Sequence, residues 1–213
     1  MQSAPQRPVP LFPLPDAVLF PGVLLPLHVF ELRYRTMVRD ALSADRRIVM
    51  ALLRPGWEGD YFGSPEIYPL ACLGEFEEVE WLPNDCYNLK LRGVSRVRVG
   101  PVAREFPYRA ARIQVVPQAP MSDDDPLVLS ELEGLRAAYQ THPAFESIAE
   151  ALKAPLEAAT GYECLVNTLC TFLPMEAGEK MNLLEMDSVL DRGRRLRQVL
   201  EWTRPGGPRN PEN

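Results

Sequence analysis

The N-terminal part of the chain combines proline-interrupted apolar stretches with one amphipathic stretch. From Pro10 to Pro26 prolines recur among leucine, valine and phenylalanine, and proline fixes φ and cannot donate a backbone hydrogen bond. The apolar run Leu24–Phe30 has the length of a strand. The apolar residues that follow share one helical face: Tyr34, Met37, Val38, Ala41 and Leu42. This pattern predicts an irregular strand pair followed by a short amphipathic helix.

Three further stretches are typical of β-strands. Arg46–Arg54 is an apolar run between charged ends, which predicts a central buried strand. Ile67–Leu82 changes parity along its length, so we expect a bulge near Glu77-Glu78. Tyr108–Val116 predicts the last strand. The periodicity as a whole predicts a mainly antiparallel, curled sheet with one helix.

The segment Leu89–Val99 has apolar odd positions and mainly charged even positions, which predicts a half-buried strand with a solvated face. Arg96 belongs to that predicted solvated face. Gly93 interrupts the strand, and we expect a bulge or kink there that helps the sheet to curl. Between Lys90 and Arg112 there are seven basic residues and one acid, a basic strip that we call strip 90–112.

In the C-terminal half the apolar period becomes helical. Pro117–Pro126 follows neither period, which predicts a domain boundary there. We therefore expect a β-rich domain at 9–117, an α-helical domain at 126–203 and a disordered, Pro- and Gly-rich tail at 204–213. The predicted helices of the second domain are Val128–Tyr139, Phe145–Leu152, Tyr162–Phe172, Glu176–Met186 and Ser188–Trp202.

The last predicted helix carries a group of arginines toward its end: Arg192, Arg194, Arg195 and Arg197. Positive charge near the C-terminal end of a helix interacts favourably with the helix dipole. We therefore expect these side chains to form a solvated face.

Short motifs along the chain have a family-like order and spacing. In the N-terminal stretch they are Leu14-Pro15, Leu19-Phe20-Pro21, Pro26-Leu27 and Phe30-Glu31 leading to Arg33-Tyr34. Later ones are Gly74, Asp85, Leu91-Arg92-Gly93, Leu173-Pro174, Glu179-Lys180-Met181 and Leu183-Leu184-Glu185. On these motifs, residues 9–202 resemble the Lon N-terminal domain, the substrate-binding module of ATP-dependent Lon proteases and a relative of the N-terminal part of cereblon.

The resemblance implies both a fold and a function. The implied fold is α+β, a curled antiparallel PUA-like β pseudo-barrel followed by a C-terminal helical bundle. The implied function is a stand-alone module that recognises unfolded polypeptide or a partner protein. A homo-oligomer is a further hypothesis about its partners.

The motifs of the Lon ATPase and protease do not occur in this sequence. There is no G-x-x-x-x-G-K-[ST] loop to cradle phosphates and no G-x-S-x-G nucleophile motif. The four cysteines have no zinc-ligand spacing. We therefore expect a protein that is not an enzyme, with no catalytic residue, no cofactor and no metal.

Charge and hydropathy narrow the class of partners. The formal net charge of −6 disfavours general binding to nucleic acid or anionic lipid. No apolar run is long enough to span a membrane and no signal peptide is visible, so we expect a cytoplasmic protein. Two alternative functions stay open: a PUA-like RNA-binding module that uses strip 90–112, and an ATP-dependent peptidase, the activity that the family name suggests.

One loop, Pro55–Pro65, carries the candidate binding residues. It is rich in glycine and proline and holds three aromatic residues, Trp57, Tyr61 and Phe62. A protein that binds unfolded chains needs exposed apolar surface, because its ligands share hydrophobicity rather than sequence. We therefore predict that these three rings contact polypeptide. The alternative is that they cover the core and touch nothing external.

Overall fold

The computed structural model describes residues 7–143, 153–157 and 159–203. The helix expected at Phe145–Leu152 and the tail at 204–213 lie outside the described residues. The chain divides into two compact units, Met1–Val116 and Pro117–Asn213. The described strands all belong to the first unit, and the second is helical.

The first unit contains six strands, one α-helix and one short 3₁₀ helix. In chain order they are β1 (Val9–Leu14), β2 (Leu24–Val29), α1 (Leu32–Leu42), β3 (Arg47–Leu52), the 3₁₀ helix Trp57–Asp60, β4 (Leu70–Trp81), β5 (Tyr87–Arg104) and β6 (Ala110–Val115).

The six strands form one sheet in the order β2-β5-β4-β3-β1-β6, and the long strand β5 also pairs with β6. That additional pairing closes five of the strands into a barrel and leaves β2 on the outside of the ring. Most pairs are antiparallel, as expected, but β1 and β3 are parallel. Parallel neighbours need a long connection, and here β2 and α1 supply it.

Each strand of the closed ring contributes to one buried apolar cluster. It consists of Leu11, Val49, Ala51, Ala71, Leu73, Val97 and Ala111. Helix α1 buries the face that its sequence predicts, including Tyr34, whose ring meets Phe12 of β1 edge-on at 4.7 Å. The first unit therefore buries apolar side chains both inside the barrel and beneath α1.

Irregularities in β4 and β5 bend the barrel. The register shifts between Phe76 and Glu78, where the sequence predicts a bulge, and again between Leu73 and Gly74. Gly93 lies opposite Gly74 at the second shift. A Cβ on Gly93 would lie 2.1 Å from the carbonyl oxygen of Phe20, so only glycine fits this close approach of two backbones.

The prediction that Arg96 lies on a solvated face was wrong. Arg96 is only 2% exposed, and its partner across the sheet is Cys72, which is 1% exposed. All residues of β4 from Leu70 to Gly74 are buried, so both faces of the sheet are covered here. Alternation therefore cannot bring the side chain of Arg96 to water at this point.

The second unit consists of helices. Those with described bounds are α2 (Pro126–Gln140), α3 (Gly161–Phe172), α4 (Ala177–Glu185) and α5 (Val189–Trp202). Two of them begin with a side-chain cap: the Asp125 carboxylate accepts from Leu127 N–H, and the Ser188 hydroxyl accepts from Asp191 N–H. These contacts satisfy amides that have no partner within the helix.

The expected solvated arginine face of the last helix was also wrong. Arg192 lies in the first half of α5 and is fully buried. Its guanidinium donates to the carbonyl oxygens of Leu183 and Met186 and to Asn167 Oδ1, at 2.9, 2.8 and 2.6 Å. It therefore caps the end of α4, whose last carbonyls have no helical partner. Three more arginines of α5 form ion pairs with acids of α2 or α4: Arg194 and Arg197 with Glu131, and Arg195 with Glu179.

Candidate functional site

The three aromatic residues predicted to bind polypeptide form a row of ring contacts in the first unit. Trp57 and Tyr61 meet edge-on with centroids 5.5 Å apart, and Tyr61 and Phe62 meet edge-on at 5.2 Å. Trp57 and Tyr61 are half-buried, whereas Phe62 is 86% exposed. Phe62 is therefore the ring of this row that is most available to a ligand.

Arg33, at the start of α1, holds this row in place. Its guanidinium carbon lies 4.9 Å from the ring centroid of Tyr61 and 5.8 Å from that of Phe62, in cation–π geometry. Arg33 Nη1 also donates to the Tyr61 carbonyl oxygen at 3.2 Å, and Nε donates to Glu31 at 3.0 Å. The Tyr61 hydroxyl donates to the other oxygen of Glu31 at 2.6 Å. Residues on either side of the helix start thus fix the loop.

Burial and neighbouring charges keep the tyrosines of this region neutral. Burial, followed by the hydrogen bond to Glu31, raises the pKa of Tyr61. Burial also raises the pKa of Tyr34 to about 12. Burial lowers the pKa of Arg109, yet this guanidinium donates to the Pro65 carbonyl oxygen at 2.7 Å. Both tyrosine hydroxyls therefore stay protonated at neutral pH.

A groove of about 570 Å³ lies between the loop after the 3₁₀ helix, the first turn of α1 and the β5–β6 turn. Its rim carries three large apolar side chains in water: Phe62, Phe106 and Leu32 are 86%, 85% and 70% exposed. A hydrogen bond of 2.8 Å from Ser64 Oγ to Glu105 joins the two loops that form opposite sides. We call this concavity the Phe62–Phe106 groove.

The groove includes one of the three predicted site residues. Phe62 lines the groove directly, whereas Trp57 and Tyr61 are not among its lining residues. The ring of Tyr61 packs against Phe62, and the ring of Trp57 packs against Tyr61. Sequence reasoning missed Phe106 and Leu32. The one signal that could have indicated Phe106 is its position between Glu105 and Pro107, where an apolar residue has no strand in which to be buried.

Strip 90–112 does not form a continuous basic surface. Lys90 pairs with Glu78 at 2.8 Å and Arg92 pairs with Glu77, both across the β4–β5 hairpin. Arg96 is buried, and Arg109 is bonded to a backbone carbonyl. The acids of β4 therefore neutralise Lys90 and Arg92 at one end of strip 90–112. Arg96 contributes no charge to the surface because it is buried.

The described residues offer neither a metal site nor a membrane-spanning helix. Within 7–143, 153–157 and 159–203, no group of three or more His, Cys, Asp or Glu side chains could hold a metal ion. None of the helices in these ranges has the length and hydropathy needed to cross a membrane.

The sequence of the chain matches a family model described as the ATP-dependent protease La (LON) substrate-binding domain, over residues 8–201. Lon protease 2 of Herpetosiphon aurantiacus is 28% identical over 94% of this chain, and Lon protease 2 of Myxococcus xanthus is 25% identical over 91%. The matched regions are 24% and 23% of those proteins, so the chain spans about a quarter of the length of these curated relatives.

Solved structures resemble the fold along nearly the whole chain. A Lon N-terminal domain protein from Xanthomonas campestris matches with a TM-score of 0.58 and 26% identity, covering 92% of this chain and 98% of the other. The N-terminal domain of Lon protease from the Mycobacterium avium complex matches with a TM-score of 0.64 and 19% identity, covering 91% and 98%. The predicted α+β fold and the predicted resemblance to the Lon N-terminal domain are confirmed.

Proposed function

Because this chain belongs to the LON substrate-binding domain family, we propose that it binds exposed apolar segments of unfolded polypeptides or of partner proteins. The observation that carries this proposal is the Phe62–Phe106 groove, where three large apolar side chains stand in water around one concavity. Exposed large apolar side chains around one concavity are typical of interaction sites.

The groove supports loose recognition rather than a sequence-specific fit. Fully burying a phenylalanine side chain contributes about 1.5–3 kcal/mol, so Phe62 and Phe106 together would supply about 3–6 kcal/mol. Association costs several kcal/mol in lost freedom of motion, which leaves weak binding from these two rings alone. Weak apolar contacts suit a ligand class that shares hydrophobicity and little else.

We propose further that the chain acts as a module without ATPase or protease activity of its own. The motifs for both activities are missing from its sequence, and its similarity to the Lon proteases lies in their substrate-binding part. The RNA-binding alternative receives little support, because the acids of β4 pair with Lys90 and Arg92 and Arg96 is buried.

The test compares two double variants of the full chain. Phe62→Ser with Phe106→Ser removes the two exposed rings of the groove. The matched control, Leu127→Ser with Leu129→Ser, removes two side chains of α2 that are each 47% exposed. The probe is dye-labelled α-lactalbumin, reduced and carboxymethylated so that it stays unfolded, and binding is followed by fluorescence anisotropy.

We expect the groove variant to lose at least about tenfold in affinity at an unchanged melting temperature, because its two rings contact solvent and not the core. The control variant should bind as the wild type does. Equal affinity of wild type and groove variant would contradict the proposed site. Absence of binding by the wild type would contradict the proposed function.

A further inference from the structure

Strand β2 has one edge without a partner strand. It is the terminal strand of the sheet and pairs with β5 alone, from Leu24 opposite Arg92 to Val29 opposite Tyr87. No other strand in the described ranges pairs with it, and the additional β5–β6 pairing that closes the barrel excludes it. An unpaired edge presents main-chain donors and acceptors that any extended chain can match.

The direction of these donors and acceptors follows from the contacts of Gly93. Its N–H donates to the Val23 carbonyl oxygen at 2.9 Å, and its own carbonyl accepts from Gly22 N–H at 2.8 Å. The odd residues of β5 in this stretch therefore direct their backbone groups toward β2, because hydrogen-bonded and non-hydrogen-bonded pairs alternate along an antiparallel ladder. Their partners on β2 are Leu25, Leu27 and Val29, which face β5 in return.

The remaining residues of β2, Leu24, Pro26 and His28, direct their backbone groups outward. This explains why a proline is accommodated inside a paired strand, since Pro26 occupies a position whose N–H would face away from β5. The free edge thus offers two N–H donors, from Leu24 and His28, and three carbonyl acceptors, from Leu24, Pro26 and His28.

The two faces of β2 differ in polarity. One face carries Leu24, Pro26 and His28, and beside them lie Arg92, Lys90 and Asn88 of β5. His28 Nδ1 donates to Asn88 Oδ1 at 2.8 Å, and Asn88 donates to Glu80 at 3.1 Å. On the other face Leu27 is half-buried and Val29 is buried. A strand added at the free edge would therefore continue an apolar face on one side, and on the other a face whose neighbours on β5 are polar, which favours a segment of alternating polarity.

We infer that the free edge of β2 binds an extended polypeptide segment of alternating polarity as an added antiparallel strand. The inference rests on the proposed function only in that the ligand is a polypeptide. Its contacts are separate from the Phe62–Phe106 groove, since main-chain hydrogen bonds carry them rather than aromatic side chains. Antiparallel addition matches the pairing on the other edge of β2, and it is the more stable of the two directions.

The first experiment uses N-methylated peptides. The probe is a fluorescein-labelled peptide in which valine and threonine alternate between terminal lysines. With valine on the apolar face, the threonines lie opposite Leu24, Pro26 and His28 and direct their N–H groups at β2. Methylation of one central threonine nitrogen is expected to weaken binding at least about fivefold, because it removes a hydrogen bond at the shared edge. Methylation of one central valine nitrogen should leave the affinity unchanged.

A loss of affinity confined to the valine-methylated peptide would still indicate an added strand, but it would show that the strand is parallel and not antiparallel. Equal affinity of all three peptides, equal loss for both methylated peptides, or no binding of the unmethylated peptide by the wild type would overturn the inference. If α-lactalbumin binds through the groove while the peptides show no methylation effect, the proposed function stands and the added strand does not exist.

The second experiment changes the edge itself. His28→Pro removes an outward N–H that β5 does not use, whereas His28→Ala keeps it and removes only the side chain. We expect His28→Pro to bind the peptide at least about fivefold more weakly than His28→Ala, because only the proline variant lacks the outward N–H. Circular dichroism of both variants checks that the fold is kept. Equal peptide affinity of the two variants contradicts the inference, as does a dimer of the wild type that His28→Pro dissociates without changing peptide affinity.

Discussion

Replacing Arg192 by methionine tests the most deeply buried charge of the second unit. The side chain is fully buried and donates to three acceptors, the carbonyl oxygens of Leu183 and Met186 and Asn167 Oδ1. Methionine fills much of the same volume but cannot donate. The substitution therefore removes three hydrogen bonds from the interior.

The expected cost follows from those three contacts. Each hydrogen bond from a charged donor contributes about 1.5–3 kcal/mol. Part of this is offset because the variant no longer has to desolvate a guanidinium. We expect a net loss of about 3–5 kcal/mol in the free energy of unfolding of the helical unit, which is less than the sum of the three hydrogen bonds because of that offset.

Urea unfolding followed by circular dichroism at the helical wavelength measures this loss. With a slope of about 2 kcal/mol per molar urea, the midpoint of the helical transition should fall by about 1.5–2.5 M. The matched control is Arg194→Met on the same helix, because Arg194 forms a partly exposed ion pair with Glu131 and its replacement should cost much less than that of Arg192. A loss for Arg192→Met below about 1 kcal/mol, or equal to that of the control, would refute the assignment of Arg192 as the cap of α4.

Three further predictions concern the barrel, the boundary and the chemistry. Gly93→Ala should destabilise the first unit by more than about 2 kcal/mol, because its Cβ would clash with the Phe20 backbone. The control Gly59→Ala has open space around its Cβ and should change the free energy of unfolding by no more than about 0.5 kcal/mol in the same urea titration. Limited proteolysis followed by mass spectrometry should cut within 117–126, where we propose the domain boundary, and an intact chain after long digestion would argue against it. The purified protein should neither hydrolyse ATP nor cleave casein, and turnover that a single substitution in this chain abolishes would overturn that expectation.

Sequence periodicity could predict which faces are buried, but not which strands are neighbours. Helix α1 buries the face read from its spacing, and β4 bulges near Glu77-Glu78 as its change of parity indicates. The parallel pairing of β1 with β3 could not be predicted in this way, because alternation describes one strand at a time and does not identify its partner. Closure of the barrel by β5 and β6 depends on pairings between distant parts of the chain for the same reason.

The two errors about arginine have a common physical cause. Sequence patterns assign charge to solvent, yet Arg96 and Arg192 are buried. For Arg192 the compensating partners are mainly backbone carbonyls, which every residue carries and which no side-chain pattern reveals. The burial of the Arg192 guanidinium can be recognised only when the positions of the end of α4 and the start of α5 are known.

Of the three exposed apolar residues of the groove, only Phe62 could be predicted from the sequence. Phe62 could be singled out because its glycine-rich loop offers no buried strand position. Leu32 and Phe106 lie in segments distant from that loop in sequence, and their side chains meet around one groove only after folding. A binding surface assembled from three separate segments leaves no local pattern in any of them.

The groove and the free edge would recognise different properties of the same kind of ligand. The groove contacts apolar side chains, and the edge contacts backbone groups that are identical in every polypeptide. Leu32 lines the groove and His28 is the last residue of the free edge, so the two surfaces begin within about 14 Å of each other along the chain. Two weak contacts at this separation act at high effective concentration on one extended ligand, and their combined affinity exceeds either alone. Selectivity for unfolded chains would then require only a pattern of polarity in the ligand, because a folded protein hides both its apolar side chains and its backbone.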